Sequence, residues 1–167
     1  RTSKDPAHLS RVAERLEELR DQIDEGGARE AIIRALIYVR MPEGVVDERG
    51  FNFLQRVRDE AGSGLKLAEF KRILREQYFM LLIDEARAVA AIGGMLTAEP
   101  RLASRLKAVF SHLIDAVGVH TELAKMRLAE IEAIFANPDA QGSPSSEDKV
   151  SSLRTARHGE LRPVRKA

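Results

Sequence analysis

Apolar positions recur along this chain at helical spacing. Leu9, Val12, Leu16, Leu19 and Ile23 fall three and four residues apart with charges between them. That spacing predicts a first helix with one apolar stripe, closed by Gly26-Gly27. A single stripe needs a partner surface. The next run, AREAIIRALIYVRM from Ala28 to Met41, is apolar on more than one face through Ile32, Ile33, Leu36, Ile37 and Val39. It is therefore placed at the centre of the fold, with Pro42 as its stop. A third helix is predicted from about Asp47 to Glu60, with Phe51, Leu54 and Val57 inward and AGSG at 61–64 breaking it.

Leu67, Phe70, Leu74, Tyr78 and Leu81 mark a long fourth helix whose second half, QYFMLLI, reads as buried nearly all round. Asp84 to Ile92 continues it or forms a separate short helix, and Gly93-Gly94 is read as the closing signal. Leu102, Leu106, Val109, Leu113 and Val117 draw the next stripe. Ala124, Leu128, Ile131 and Phe135 draw the last, ended by Asn137-Pro138. No stretch keeps a period of two, so the pattern predicts an all-α bundle of six or seven helices over residues 1–136. Residues 137–167 are rich in serine, proline and charge, lack aromatics, and read as a disordered basic tail.

Composition narrows this picture without redirecting it. A chain of 167 residues, 44% hydrophobic and 32% charged, reads as one globular domain able to bury roughly two-thirds of its unfolded surface. The absence of cysteine excludes disulfides, thiolate nucleophiles and zinc-thiolate sites, and a reducing, cytoplasmic location is the default. The uncharged apolar stretch Gln77 to Ile83, near the middle, is far below the ~20 residues of a membrane span. A start on arginine is read as a segment of a longer protein, with a partner domain expected upstream.

The loop PEGVVDERG at 42–50 raises the main chemical question. GVVDE at 44–48 returns as GVHTE at 118–122, each after an apolar helix and before an amphipathic one; a pseudo-twofold between two helix pairs is one reading of that echo and chance the other. Asp47 and Thr121 then fall at N-caps, with Glu48 and Glu122 in the first turns that follow. An EF-hand is excluded, because with Gly44 as its sixth position the first, third and twelfth positions become Val39, Met41 and Gly50. A smaller divalent-cation site on Glu43, Asp47 and Glu48, or on the Asp84-Glu85 pair, is the alternative to a capped corner. His112, Asp115 and His120 are weaker candidates, read as surface or satisfied histidines.

There is no nucleophile elbow, phosphate-binding glycine loop or zinc-protease helix motif, and no catalytic residue is assigned. The glycines at 26-27, 62-64 and 93-94 are read as helix ends. Glu17-Glu18 is read as a solvated face. From Arg154 the tail carries Arg154, Arg157, Arg162, Arg165 and Lys166 against Glu160, a net +4. A solvating terminus is preferred there to contact with nucleic acid or anionic lipid, since no aromatic is interleaved for stacking.

The stretch EGGAREAIIRALIYVRMPEGVVDERGFNFLQRVRDE, followed by LKLAEFKRILREQYFMLLIDEARAVAAI and LAKMRLAEIEAIF, resembles the C-terminal region of bacterial poly(3-hydroxyalkanoate) synthetase-like proteins of the α/β-hydrolase class, over roughly residues 25–136. The resemblance implies a hydrolase core N-terminal to this segment. It also implies a non-catalytic helical accessory domain here, serving docking, oligomerisation or regulation, with the hydrolase domain of the same chain as partner and homo-oligomers a further partner class. The segment is also similar to tellurite-resistance TerB-like helical domains, whose acid-glycine corner D-G-x-V-x-x-x-E binds divalent metal. Glu43-Gly44, Val46 and Asp47 follow that corner, but Gly50 replaces its last acid. The fold carries over better than the metal, and no other cofactor is expected.

Overall fold

The computed structural model describes residues 5–44, 55–60 and 64–142, and all statements about structure concern these. Helix α1 (Pro6–Asp21) starts where Asp5 accepts from the Ala7 N–H at 3.0 Å and Pro6 supplies a preset φ. Helix α2 (Ala28–Arg40) starts at Gly27, whose N–H donates to the Glu30 carboxylate at 3.1 Å. A 3-10 turn, Met41–Glu43, carries Pro42. Residues 55–60 are helical (α3), with Val57 inward as predicted; the remainder of the helix expected from Asp47 lies outside the described residues.

Helices α4 (Leu67–Ile83) and α5 (Glu85–Ala98) are separate, which settles the question left open by their sequence. Asp84 breaks them with an extended φ of −153° and caps α5, its carboxylate accepting from the Arg87 N–H at 3.2 Å. Helix α6 (Pro100–Val117) starts with Pro100 in its first turn, and α7 (Glu122–Ala136) starts at Thr121, whose hydroxyl accepts from the Ala124 N–H at 3.1 Å. Thr121 is thus the N-cap that its sequence position predicts. No strand occurs among the described residues, and the protein is an all-α bundle.

Every residue of α2 except Arg29 and Glu30 is buried, and α4, α5, α6 and α7 all pack on it. Burial on all faces explains why AREAIIRALIYVRM shows no single stripe. Each large apolar side chain taken out of water there contributes about 1.5–3 kcal/mol. At the far side Phe110 meets Phe135 edge-on at 4.9 Å, and Lys107 donates to the Phe135 carbonyl at 2.9 Å, closing the C-terminus of α7.

Gly93-Gly94 does not close α5, contrary to the expectation from sequence. The helix runs through both to Ala98, and a second 3-10 turn, Pro138–Gly142, lies against it. A Cβ on Gly93 would stand 2.3 Å from the Pro138 carbonyl oxygen, so this glycine admits a backbone and does not end a helix. The described structure continues past Ala136 to Gly142, and residues 143–167 lie outside the described set.

Candidate functional site

The corner after α2 is built around Glu43. Its side chain is only 6% exposed, and one oxygen accepts from Arg40 Nη1 at 2.7 Å. The other accepts from the backbone N–H groups of His120 and Thr121, the latter at 2.9 Å. Burial opposes ionisation of this carboxyl, but the Thr121 and His120 hydrogen bonds and the Arg40 charge outweigh it and hold its pKa below the ordinary value. Glu43 thereby serves α7 as an N-terminal anion supplied from another helix.

The repeated motif has a conformational basis. Gly44 and Gly118 both follow a helical segment with positive φ, 79° and 76°, where a side chain would be strained. The two corners touch, Arg40 reaching the Gly118 carbonyl at 3.4 Å while Glu43 holds the residues after it. Asp47 and Glu48, the other candidate cation ligands, lie outside the described residues. Glu43 itself brings three protein donors to its two oxygens, so a cation there would have to displace them.

The remaining candidates are dispersed. Asp84 caps α5, and Glu85 faces Arg127 at 3.5 Å. His112 is exposed and stands 3.6 Å from Glu60 on α3, while His120 is engaged through its backbone at the corner. Among the described residues no group of three or more His, Asp or Glu side chains converges as a metal site would require. The hydroxyls of Ser10, Thr97, Ser104 and Thr121 are each bonded within four residues of their own helix, and none meets a histidine.

Two polar clusters went unread in the sequence. Arg34 is fully buried in α2, donating to Gln77 at 2.8 Å, to the carbonyls of Ile23 and Ala88 at 2.9 Å each, and to Met80 sulfur at 3.2 Å. Burial lowers its pKa to about 10, against the opposing charges of Asp24 and Glu30, so it stays protonated at neutral pH and ties the turn after α1, α4 and α5 to the central helix. Its only sequence signal is a cation inside an unbroken apolar run. Tyr38 donates to Glu130 at 2.6 Å and lies beneath Arg127, 4.4 Å from the guanidinium carbon to the ring centre. Burial and the Glu130 bond push the phenol far above its ordinary value, which removes it as a base. Those partners are 92 residues apart, and no local pattern announces them.

The outer surface of α1 differs from both. Leu19 and Ile23 are buried, but Leu9, Val12 and Leu16, on the same stripe, are 55%, 43% and 40% exposed. Arg15 fastens the helix to α4 through Glu76 at 2.6 Å. Beyond that bond the stripe runs on without cover among the described residues.

Fold and polar clusters together define a helical bundle whose buried charges tie its own elements together. No protein-family model matches the chain, and no solved structure matches it. It is 39% identical over 130 residues to a protein of Rhizobium meliloti described as "Uncharacterized protein in ackA 5'region"; the alignment covers 77% of this chain and 18% of that protein. The chain thus spans less than a fifth of its curated relative. No helix among the described residues is long and apolar enough to cross a membrane.

Proposed function

We propose that this chain is a non-catalytic helical accessory domain of a poly(3-hydroxyalkanoate) synthetase-like α/β-hydrolase, working in a reducing, cytoplasmic compartment and acting by docking. The observation that carries the reading is the α1 stripe, buried at Leu19 and Ile23 and uncovered at Leu9, Val12 and Leu16. A helix that continues its apolar face past the edge of its own bundle has a surface to offer another element. The share of the Rhizobium meliloti protein that aligns, 18%, fits a module within a longer polypeptide. The resemblance over residues 25–136 supplies the parent class. A TerB-like cation module would start from Glu43, whose oxygens already serve Arg40 and the start of α7.

The test has two arms. The isolated chain is expected to turn over no acyl ester or acyl thioester, and activity that survives purification from hydrolase contaminants would overturn the reading. In the longer polypeptide carrying this segment, Val12→Asp with Leu16→Asp is expected to disrupt assembly between the bundle and its partner domain, read by limited proteolysis and sedimentation. Unchanged assembly would refute docking through this face.

A further inference from the structure

Leu9, Val12, Leu16 and Leu19 of α1, with Ile23 in the turn after it, are spaced as the core positions of a coiled-coil seam are. Spacing of three and four places Leu9, Leu16 and Ile23 at one core position of the heptad and Val12 and Leu19 at the other. The flanking positions are then His8, Arg15 and Gln22 on one side and Ala13 and Arg20 on the other. None is acidic. The acids of this helix, Glu14, Glu17, Glu18 and Asp21, all take outer positions away from the seam.

The structure gives those flanks a direction. Arg15 lies on the side facing α4, between Glu18 at 2.9 Å and Glu76 at 2.6 Å, and Arg72 approaches Glu76 at 3.4 Å. Arg20 marks the opposite rim, over the last turn of the helix. A partner laid along Leu9, Val12 and Leu16 therefore passes Arg15, itself paired with Glu18 and Glu76, on one side and Ala13 and then Arg20 on the other, with no acid at any of these flanking positions. A second copy of α1 in parallel would set Arg15 against Arg20, a like-charge pairing that disfavours self-association.

We infer that the exposed seam of α1 receives an amphipathic helix whose own apolar stripe is flanked by acidic residues, from outside these 167 residues. This rests on the docking reading above and names the chemistry of the partner. Apolar contact along the seam supplies the attraction, and flank charge supplies register and choice of partner.

Two synthetic three-heptad peptides test it, each with leucine at the core positions and kept monomeric by its own like charges, one with glutamate and one with lysine on the flanks. The 167-residue chain is titrated with each by fluorescence anisotropy. The glutamate peptide is expected to bind at least about tenfold more tightly, with the preference shrinking as salt rises. Val12→Asp should abolish binding while leaving the helical spectrum intact, and Arg20→Glu should reduce or reverse the preference. Equal binding of the two peptides, tighter binding of the lysine peptide, or no binding would overturn the inference. So would self-association of the chain that Val12→Asp abolishes, which would assign the seam to a second copy. Loss of assembly in the longer polypeptide without a glutamate preference would reject the partner chemistry alone; intact assembly would reject docking itself.

Discussion

Helix α1 carries a single apolar stripe and α2 is apolar on nearly every face, and the two meet opposite fates. All of α2 but Arg29 and Glu30 is buried, including two arginines, whereas α1 and the turn after it bury Leu19 and Ile23 and leave the first three positions of the same stripe exposed. Period alone tells which face of a helix is apolar; it does not tell what covers that face. In α2 the cover comes from four other helices. In α1 it runs out at Arg15, whose ion pair with Glu76 ties the helix to α4. Residues that stabilise this fold and residues that offer it to a partner can thus sit on one continuous pattern.

The largest effect should come from the centre. Arg34→Ala removes a buried cation and strands Gln77 and the carbonyls of Ile23 and Ala88 without their donor. A loss of about 3–5 kcal/mol is expected in denaturant titration. A loss below about 1 kcal/mol would mean that water or a rearranged side chain satisfies those groups.

Glu43→Gln should cost less, about 2–3 kcal/mol, because glutamine can keep an oxygen on the α7 N–H groups but turns an NH₂ toward Arg40. The substitution also has a pH signature. Glu43 is held below its ordinary value of 4.5 in the folded chain, so the folded state binds fewer protons and the stability it contributes is complete above that value. It drains away as pH falls through the folded pKa. The acid limb of a stability-versus-pH curve should therefore be shallower in Glu43→Gln, and identical limbs would refute the role given to this carboxylate.

Adjacent glycines in α5 sharpen the contrast between inside and outside within one turn. Gly93→Ala drives a Cβ into the Pro138 carbonyl and should cost about 1–3 kcal/mol. Gly94→Ala meets nothing within 4 Å on an exposed helical surface. That change should stabilise by about 0.5–1 kcal/mol. Equal effects in calorimetry would mean that the 138–142 turn is not held against the helix.

That pair also shows where the sequence was legible. Helices were readable wherever a three-four spacing met a capping residue, as at Thr121, or a proline, as at Pro42. Glycine was ambiguous, since the same residue ends a helix or lets a second backbone approach it, and only the tertiary position of Pro138 distinguishes the two. Glu43 could be recognised as the acid of a corner, but its partners His120 and Thr121 lie 77 and 78 residues away. The echo between GVVDE and GVHTE was the one sequence feature that linked those corners, and positive φ at both glycines gives it a physical cause. Arg34 could have been singled out as a lone charge in an apolar run, whereas the Tyr38–Glu130 bond had no local signal.

The smallest expected effect per residue tests the central claim most directly: the thermal midpoint of the 167-residue chain carrying Leu9→Asp, Val12→Asp and Leu16→Asp together. If those side chains face water in the free bundle, each change costs at most about 0.5 kcal/mol and the midpoint falls by no more than a few degrees, while Leu19→Ala alone, within the core, costs about 2–5 kcal/mol and lowers it further. A triple variant that melts as low as Leu19→Ala, or lower, would show that the stripe is already covered by this chain and would contradict the account.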